Sequence, residues 1–281
     1  MGDYFDNAKY GTAHTHRAIF DNVGFLKKNA AKEVCSNSKE FPVFIVGNGP
    51  SLDSSIELIR QERDNVIVVS CGTALQSLYR NGIKPDFHAE IEINRATFDW
   101  AMRIGDLKYL SEITLISCNG VHPDTYSLYK DVFLAFKQGE SSTVSTFEVY
   151  DGDDFALLDF SYPTVSNFVL DFFTTLGMTQ LYLVGVDLGF VDDKHHHSVN
   201  SGYYDSNGKE LYSYSQSNNT SFIVPGNFRK WVNTKLEFKM SKTILENVLK
   251  VRKADVYNLS DGALIVGARP LNKENVLISK G

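Results

Sequence analysis

The sequence has little cysteine, and its cysteines form no recognisable pattern. There are three among 281 residues, Cys35, Cys71 and Cys118, and no two of them make a Cys-x-x-Cys pair. An odd number of widely spaced cysteines argues against a disulfide framework. We therefore expect reduced thiols in a cytoplasmic protein.

Long apolar runs and an excess of positive charge are also missing. No run approaches the roughly 18 apolar residues that a membrane-spanning helix needs. The start, Met1-Gly2-Asp3-Tyr4, lacks the basic patch and apolar core of a signal peptide. The net charge is −6 and the isoelectric point is about 5.7, so bulk charge does not attract nucleic acid. We expect no secretion, no membrane span and no polynucleotide partner.

What is present is the composition of an ordinary globular protein. Hydrophobic residues make up 43% of the chain and charged residues 22%. A chain of 281 residues can bury a large core, as one large domain or as one domain with a lid. No internal repeat or low-complexity block interrupts it.

The stretch from Phe41 to Leu52 is the most informative part of the sequence. Residues 43–46 are a short apolar run, typical of a strand buried on both faces, and Gly47 and Gly49 follow at once. Pro50 can open a helix, and Ser51 or Asp53 can cap its free amides. A helix that starts at the carboxyl edge of a sheet is a ready anion site.

This turn does not fit a dinucleotide site. Leu52 stands where Gly-x-Gly-x-x-Gly requires its third glycine. The next predicted strand ends in Cys71-Gly72-Thr73, where an acid for the ribose is expected. A mononucleotide or nucleotide-sugar site remains, with a tight turn that binds no ligand as the alternative.

Strands and helices alternate along most of the chain, which predicts an α/β fold with a doubly wound, mostly parallel, Rossmann-like sheet. We expect an N-terminal helical arm over residues 1–40 and a catalytic domain over 41–281, with a lid at 190–227. We also hypothesise that the chain is a piece of a longer protein. The predicted strands cover residues 43–46, 66–70, 87–93, 113–117, 132–136, 180–184 and 256–259.

Polar residues follow several of these strands. The strand at 180–184 delivers Asp187 to the same edge as the Gly47 turn, and the strand at 87–93 ends near Glu92. The predicted lid is polar and carries a histidine run and several tyrosines. Its candidate residues are His195, His197, Tyr203 and Tyr204.

Four segments together resemble the central domain of the motility accessory factor proteins. The resemblance covers nearly the whole chain. The Gly-Asn-Gly-Pro-Ser-Leu turn is shared with bacterial sialyltransferases that use CMP-sialic acid and with archaeal 6-hydroxymethylpterin pyrophosphokinase-like proteins. The segments are Ile45-Val46-Gly47-Asn48-Gly49-Pro50-Ser51-Leu52, Gly82-Ile83-Lys84-Pro85-Asp86-Phe87, the helix from Thr164 to Gly177 with Leu183-Val184-Gly185-Val186-Asp187-Leu188, and Asn258-Leu259-Ser260-Asp261-Gly262-Ala263.

The resemblance implies an enzyme that transfers a nonulosonic, sialic-acid-like sugar from a CMP-linked donor to Ser or Thr of flagellin. It implies phosphate and ribose contacts from the turn and cytidine contacts from the start of the late helix. Strand two ends in Cys71-Gly72-Thr73 where the sialyltransferases have Cys-Asn, so Thr73 would substitute for the asparagine. The implied ligand-binding residues are Gly47, Asn48, Gly49, Pro50, Ser51, Gly72, Thr73, Thr164, Ser166 and Asn167.

Such a transfer needs donors for the departing phosphate and a base for the acceptor hydroxyl. We assign the donor role to backbone amides at the helix start and to Tyr203 or Tyr204. The first choice for the base is His197, then His195, with Glu92 or Asp187 as carboxylate alternatives. The leading hypothesis requires no cofactor, since the CMP-sugar is the donor substrate, and we assign no metal ligands; whether Mg²⁺ takes part stays open at this point.

Other interpretations stay open. A pyrophosphokinase that moves diphosphate from ATP would need Mg²⁺ held by Asp187 and Glu92. The third interpretation is a module that binds a nucleotide without catalysing a reaction. Each candidate also has a structural explanation: the histidine run can be solvated, Asp187 can brace the sheet edge, and Glu92 can pair with Arg95 or Lys84. Oligomeric state is open.

Overall fold

The computed structural model describes residues 2–191, 196–205, 207, 209, 211 and 222–278. Within them, a ten-stranded sheet forms the centre of the molecule, and a separate two-stranded antiparallel hairpin, β9 and β10, lies outside it. In chain order the strands are β1 (Gly24–Phe25), β2 (Val43–Val46), β3 (Ile67–Cys71), β4 (Phe87–Glu90), β5 (Thr114–Cys118), β6 (Asp131–Lys137), β7 (Leu157–Leu158), β8 (Gln180–Val184), β9 (Phe222–Pro225), β10 (Trp231–Thr234), β11 (Asp255–Asn258) and β12 (Arg269–Pro270).

Helices connect the strands and cover both faces of the sheet. The longest are α1, α10 and α11, and a 3₁₀ turn, Lys273–Asn275, lies near the end of the described chain. In chain order the helices are α1 (Gly2–Phe20), α2 (Ala30–Glu33), α3 (Ser36–Lys39), α4 (Leu52–Gln61), α5 (Ala74–Arg80), α6 (Ala96–Met102), α7 (Leu107–Leu110), α8 (Pro123–Tyr126), α9 (Ser141–Phe147), α10 (Val165–Thr175) and α11 (Leu236–Val251).

The order of the strands confirms the predicted doubly wound sheet. It runs β1-β6-β5-β4-β3-β2-β8-β11-β12, with β7 paired to β6, and all of these neighbours are parallel. From β2 the chain adds β3 to β7 on one side, whereas β8, β11 and β12 lie on the other. The order therefore reverses between β2 and β8, and such a switch point is where ligands bind in open parallel sheets.

Strand β2 shows why the sheet is buried on both faces. Val43 and Ile45 point into the core beneath α10 and α11, whereas Phe44 and Val46 point into the core beneath α4 and α5. All four side chains are fully buried. Each contributes about 1.5–3 kcal/mol by leaving water, so a continuous apolar run is the pattern that this position requires.

The N-terminal segment is more than a helical arm, and the connection after β6 packs against it. Residues 1–40 contain the long helix α1, but they also supply β1, which pairs with β6 at the edge of the sheet. The Ser- and Thr-rich connection after β6 forms helix α9, which packs against α1, with Thr12 Oγ1 and Ser145 Oγ 3.1 Å apart. The third predicted strand, 87–93, ends at Glu90.

Two predictions about helix starts have opposite outcomes. Helix α10 has the capping box that its sequence predicts, formed by Thr164 and Asn167. The prediction that Ser51 or Asp53 caps α4 is wrong, because no side chain of its N-cap residue bonds back to the helix. Ser51 instead bonds to Asp187, and Asp53 bonds to residues 198–200.

The three cysteines are free thiols, as expected. Cys71 and Cys118 are the last residues of β3 and β5 and are buried, whereas Cys35 is exposed just before α3. Burial raises the pKa of Cys118 to about 12. Over the part of the chain that the structure describes, no helix has the length and apolar character needed to cross a bilayer.

The contact between the ends of β2 and β8 makes Gly185 sensitive to substitution. Gly185 has φ of +67°, and a Cβ atom there would lie 2.5 Å from the carbonyl oxygen of Gly47. We expect Gly185→Ala to cost about 1–2 kcal/mol for the left-handed backbone and a further 1–3 kcal/mol for the clash. Urea unfolding measures the sum.

Gly139→Ala is the matched control, because Gly139 has φ of +74° and nothing within 4 Å of the position of the new Cβ atom. Its free energy of unfolding should fall only by the backbone contribution of about 1–2 kcal/mol. Equal losses of stability in the two variants would contradict the close approach of the two strand ends.

Candidate active site

A crevice of about 540 Å³ opens at the switch point, at the carboxyl ends of β2, β3, β4 and β8. Most of the predicted site residues line it, but Pro50, Ser51, Asn167 and Tyr204 do not, and His195 lies outside the described residues. The predicted residues that line the crevice are Gly47, Asn48, Gly49, Gly72, Thr73, Glu92, Thr164, Ser166, Asp187, His197 and Tyr203.

Two glycine contacts bring the ends of β2 and β8 together. A Cβ atom on Gly47 would lie 2.6 Å from the carbonyl oxygen of Gly185, and one on Gly49 would lie 1.9 Å from Oδ2 of Asp187. Leu188, next along the chain, has φ of +47°, which turns the backbone sharply at the end of β8. Only glycine allows the turn to lie this close to the Asp187 carboxyl group.

The segment after β11 holds this strand end from the other side. The N–H of Val186 donates to Ser260 Oγ at 2.9 Å, and the N–H of Ala263 donates to the carbonyl oxygen of Asp187 at 2.7 Å. A Cβ atom on Gly262 would lie 2.0 Å from that oxygen. The Asn258-to-Ala263 motif therefore positions Asp187 and does not line the crevice.

Several donors of the turn are used inside the protein. The N–H of Gly47 donates to Val184 and the N–H of Gly49 donates to Gly185, both at 2.8 Å. The N–H and Oγ of Ser51 donate to Asp187 Oδ2 at 3.2 and 2.9 Å. The hydrogen-bond acceptor at the start of α4 is thus the Asp187 carboxyl group of the protein itself, and a bound phosphate would draw on other donors.

Burial controls the charge of Asp187. The side chain is 5% exposed, and desolvation raises its pKa to about 7, although the hydrogen bonds from Ser51 oppose the shift. Asp187 therefore braces the sheet edge, which is the structural role that the sequence offered as an alternative to catalysis. Asp187 also lines the crevice. A carboxyl group with this pKa exchanges a proton near neutral pH.

Asn48 connects the turn to helix α5. Its Nδ2 donates to Thr73 Oγ1 at 2.9 Å, and its Oδ1 accepts from Ser77 Oγ at 3.0 Å. Because Thr73 Oγ1 accepts this bond, its own hydroxyl proton is available for another acceptor. Thr73 thus presents a donor to the crevice next to the turn.

The start of α10 forms the opposite wall. Thr164 Oγ1 lies 2.9 Å from Ser166 Oγ and 3.0 Å from Ser241 Oγ. Asn167 is fully buried and bonds to Ser241, with its Nδ2 donating to the Ser241 carbonyl and its Oδ1 accepting from the Ser241 hydroxyl. Asn167 ties α10 to α11, whereas Thr164 and Ser166 face the crevice.

Residues 196–205 cover one side of the crevice, and hydrogen bonds hold them to α4, α5 and the turn after β2. Asp53 accepts hydrogen bonds from Ser198 Oγ, from the N–H of Val199 and from Nδ2 of Asn200. The N–H of Ser198 donates to the carbonyl oxygen of Asn48 at 2.9 Å. Arg80 of α5 donates to two more carbonyl oxygens of this segment.

This segment builds an aromatic wall. The rings of His197 and Tyr203 stack with centroids 4.0 Å apart, and the Tyr203 ring lies 5.4 Å from that of Trp100 on α6. Desolvation, with smaller contributions from Lys235 and His196, lowers the pKa of His197 to about 4. His197 is therefore neutral at pH 7. Tyr204 is 4% exposed and does not line the crevice.

The end of β4 brings carboxylates to the crevice. Glu92 is surface-accessible, yet partial desolvation and the nearby Glu90 raise its pKa. The expected pairing of Glu92 with Arg95 or Lys84 is wrong, because Arg95 pairs with Asp99 and Asp124, and Lys84 pairs with Glu112.

Sequence reasoning missed several residues that line the crevice: Glu90, Thr97, Trp100 and Phe238. Glu90 precedes Glu92 by two positions, so strand alternation offered a signal for it. The others come from helices that the sequence does not mark as part of the site.

A resident metal does not fit the protein side chains alone. Among the described residues, no three His, Cys, Asp or Glu side chains lie close enough to hold an ion. Asp187 and Glu92 both line the crevice, and one or two carboxylates hold Mg²⁺ when substrate phosphates complete its coordination. A metal would therefore have to arrive with a phosphate ligand.

Comparisons with known proteins agree with the fold. The family model described as 6-hydroxymethylpterin diphosphokinase MptE-like matches residues 17–193. The solved structure of the MAf glycosyltransferase from Magnetospirillum magneticum AMB-1 is similar, with a TM-score of 0.69 and 30% sequence identity. The similarity covers 85% of this chain and 34% of that one, so this chain spans about a third of its length. No curated protein sequence matches the chain.

The raised pKa of Asp187 predicts a pH dependence of stability. Its carboxyl group titrates at about 7 in the folded protein and near 3.9 when unfolded. Between these values the folded state keeps a proton that the unfolded state has lost, so this contribution to stability falls as pH rises. Asp187→Asn removes the effect.

Relative to the wild type, the free energy of unfolding of Asp187→Asn should therefore rise by roughly 3–4 kcal/mol from pH 4 to pH 8. Urea unfolding across this range measures it, with exposed Asp64→Asn as control. Parallel pH profiles for Asp187→Asn and the wild type would contradict the assignment.

The bonds to Asp53 predict that this residue holds the covering segment in place. Asp53→Ala removes the acceptor of three hydrogen bonds, and bonds to charged groups contribute about 1.5–3 kcal/mol each. We expect amide hydrogen exchange over 196–205 to accelerate at least about tenfold. Mass spectrometry of the peptides measures it, and Asp64→Ala should leave the rate unchanged.

Proposed function

The chain belongs to the MptE-like family, and we propose that it is a glycosyltransferase that moves a nonulosonic, sialic-acid-like sugar from a CMP-linked donor to an acceptor hydroxyl. The acceptor in this proposal is a Ser or Thr of flagellin in the cytoplasm. The likeness to the MAf glycosyltransferase supports the reaction class. The donor and the acceptor come from the resemblance of the sequence motifs.

One observation carries the proposal. A single crevice at the switch point brings together the turn after β2, the start of α10 and the aromatic wall of residues 196–205. Its volume of about 540 Å³ lies in the range of small-molecule sites, about 300–1,000 Å³. A cytidine monophosphate with an attached sugar fits a site of this size.

The departing CMP phosphate needs hydrogen-bond donors. Because the N–H groups of Gly47, Gly49 and Ser51 are used within the protein, we assign this role to the hydroxyl groups around the crevice. Thr73 lies beside the turn, and Tyr203 contributes a phenol from the aromatic wall. Thr164 and Ser166 then face the cytidine.

The acceptor hydroxyl needs a base within hydrogen-bond reach. His197 has the neutral form that a base requires, but a pKa of about 4 makes it a weak one at pH 7. Asp187 and Glu92 are the other predicted bases that line the crevice. In this proposal no resident metal is required.

The description of the matching family favours a second candidate function, diphosphate transfer from ATP to a hydroxymethylpterin. Mg²⁺ would then arrive with the nucleotide and bind Asp187 and Glu92. The two functions differ in their nucleotide, which gives a direct test.

Thermal-shift measurements with CMP, CMP-N-acetylneuraminic acid and ATP with Mg²⁺ separate the candidates. We expect the cytidine ligands to raise the melting temperature and ATP with Mg²⁺ to leave it unchanged. Stabilisation by ATP with Mg²⁺ alone would favour diphosphate transfer, and stabilisation by no nucleotide would favour a module without this activity.

A single substitution tests whether the nucleotide binds in the crevice. Thr73→Val removes one hydroxyl donor and should weaken CMP binding at least about tenfold, since a hydrogen bond to a charged group contributes about 1.5–3 kcal/mol. Thr243→Val, on the exposed face of α11, is the matched control. Equal CMP affinity of the two variants would argue against this placement.

A further inference from the structure

Glu90, the last residue of β4, is a carboxylate of the crevice that neither motif nor resemblance singles out. Its side chain lines the crevice, and the residue is 8% exposed. The Ser117 hydroxyl of β5 donates to its carbonyl oxygen at 2.6 Å and fixes the backbone at this position. A nearly buried carboxylate at the carboxyl end of a central strand is placed for chemistry.

Two buried side chains orient this carboxylate. His88 Nε2 lies 3.0 Å from Glu90 Oε1, and His88 Nδ1 lies 2.9 Å from Ser70 Oγ on β3. His88 is 2% exposed and Ser70 is fully buried. The Tyr129 ring packs parallel to the imidazole, with centroids 5.5 Å apart. The three polar side chains therefore form a chain that ends at the crevice with Glu90.

The other acid–base candidates are less suited to activating an acceptor. Asp187 holds Ser51 and lies against the Gly47 turn, on the side where the phosphate would leave. Glu92 is surface-accessible, and among the described residues no hydrogen bond orients its carboxylate, although Lys137 acts on its charge. His197 is a weak base, because burial lowers its pKa to about 4.

Strand spacing places Glu90 at a suitable distance from the turn. Strand β4 is two places from β2, and at about 4.8 Å per place the two strand ends lie roughly 10 Å apart. The distance from the Glu90 carboxylate to the acceptor oxygen is about 3 Å, and the distance from that oxygen to the anomeric carbon is also about 3 Å. Together they account for about 6 Å of the separation between the strand ends. The remainder, about 4 Å, matches a C–O bond followed by a hydrogen bond to the leaving oxygen from a donor beside the turn, such as Thr73, whose Oγ1 lies 2.9 Å from Asn48 Nδ2.

We propose that Glu90 is the general base of the transfer and that His88 is the residue that positions it, an inference that rests on the glycosyltransferase function proposed above. The acceptor O–H bond breaks, and its proton passes to a Glu90 oxygen. The freed electron pair forms the bond to the anomeric carbon of the sugar. The bond from that carbon to the phosphate oxygen breaks, and its electron pair leaves with CMP. Glu90 then returns the proton to solvent.

Release of CMP from CMP-N-acetylneuraminic acid by the full chain tests this without a protein acceptor, since water takes the place of the hydroxyl. We expect Glu90→Gln to lower kcat at least about 100-fold, the lower end of the contribution of a positioned base. KM and the thermal shift with CMP should stay near wild-type values. Glu112→Gln, on the exposed surface far from the crevice, is the matched control.

Three further variants separate a chemical role from a structural one. Glu90→Ala leaves space beside His88, and added formate should restore part of the CMP release, which a merely structural role would not produce. His88→Gln keeps a donor towards Glu90 and should lose less kcat than His88→Leu, with similar KM in both.

The outcomes are distinguishable. CMP release by Glu90→Gln within threefold of wild type, or a large loss in His197→Ala with none in Glu90→Gln, would overturn the role of Glu90 and leave the transferase function standing. A wild-type chain that neither binds CMP nor releases it would overturn the proposed function, and this inference with it.

Discussion

The approach of the β2 and β8 strand ends is the constraint on which the rest of the site depends. Gly47 and Gly185 each lie where a side chain on one would meet the backbone of the other. The contact brings Asp187 under the start of α4, where its carboxyl group takes the hydrogen bonds of Ser51 that an external anion would otherwise accept. The turn resembles an anion site, but its donors are thus occupied by groups of the protein itself. The open part of the crevice lies towards β3 and β4.

The crevice is acidic, and this shapes what it can bind. Three carboxyl groups line it, those of Glu90, Glu92 and Asp187, and no Lys or Arg side chain of the described residues does so. An anionic donor is compatible with such a lining when acids are protonated or hydrogen-bonded to the protein. The raised pKa values of Asp187 and Glu92 and the His88 contact of Glu90 meet that condition.

The sequence was sufficient for seven of the ten strands of the sheet, all but β1, β7 and β12, and for part of the site. The buried strands β2 and β8 are continuous apolar runs, and α10 combines an apolar face with a cap, so local patterns identify both kinds of element. The bond between Ser51 and Asp187 spans 136 positions, and no local signal carries it. The His88 and Glu90 pair was missed because an alternating strand normally exposes its polar face to water, whereas here other elements bury that face.

The thiols differ greatly in their access to solvent. Cys71 and Cys118 end central strands and are shielded, whereas Cys35 lies before α3 at the amino edge of the sheet, opposite the crevice. Because only the thiolate reacts with electrophiles, a maleimide dye or spin label should attach to the native chain at Cys35 alone. The protein therefore carries a natural attachment point for spectroscopy or surface immobilisation that leaves its crevice unobstructed.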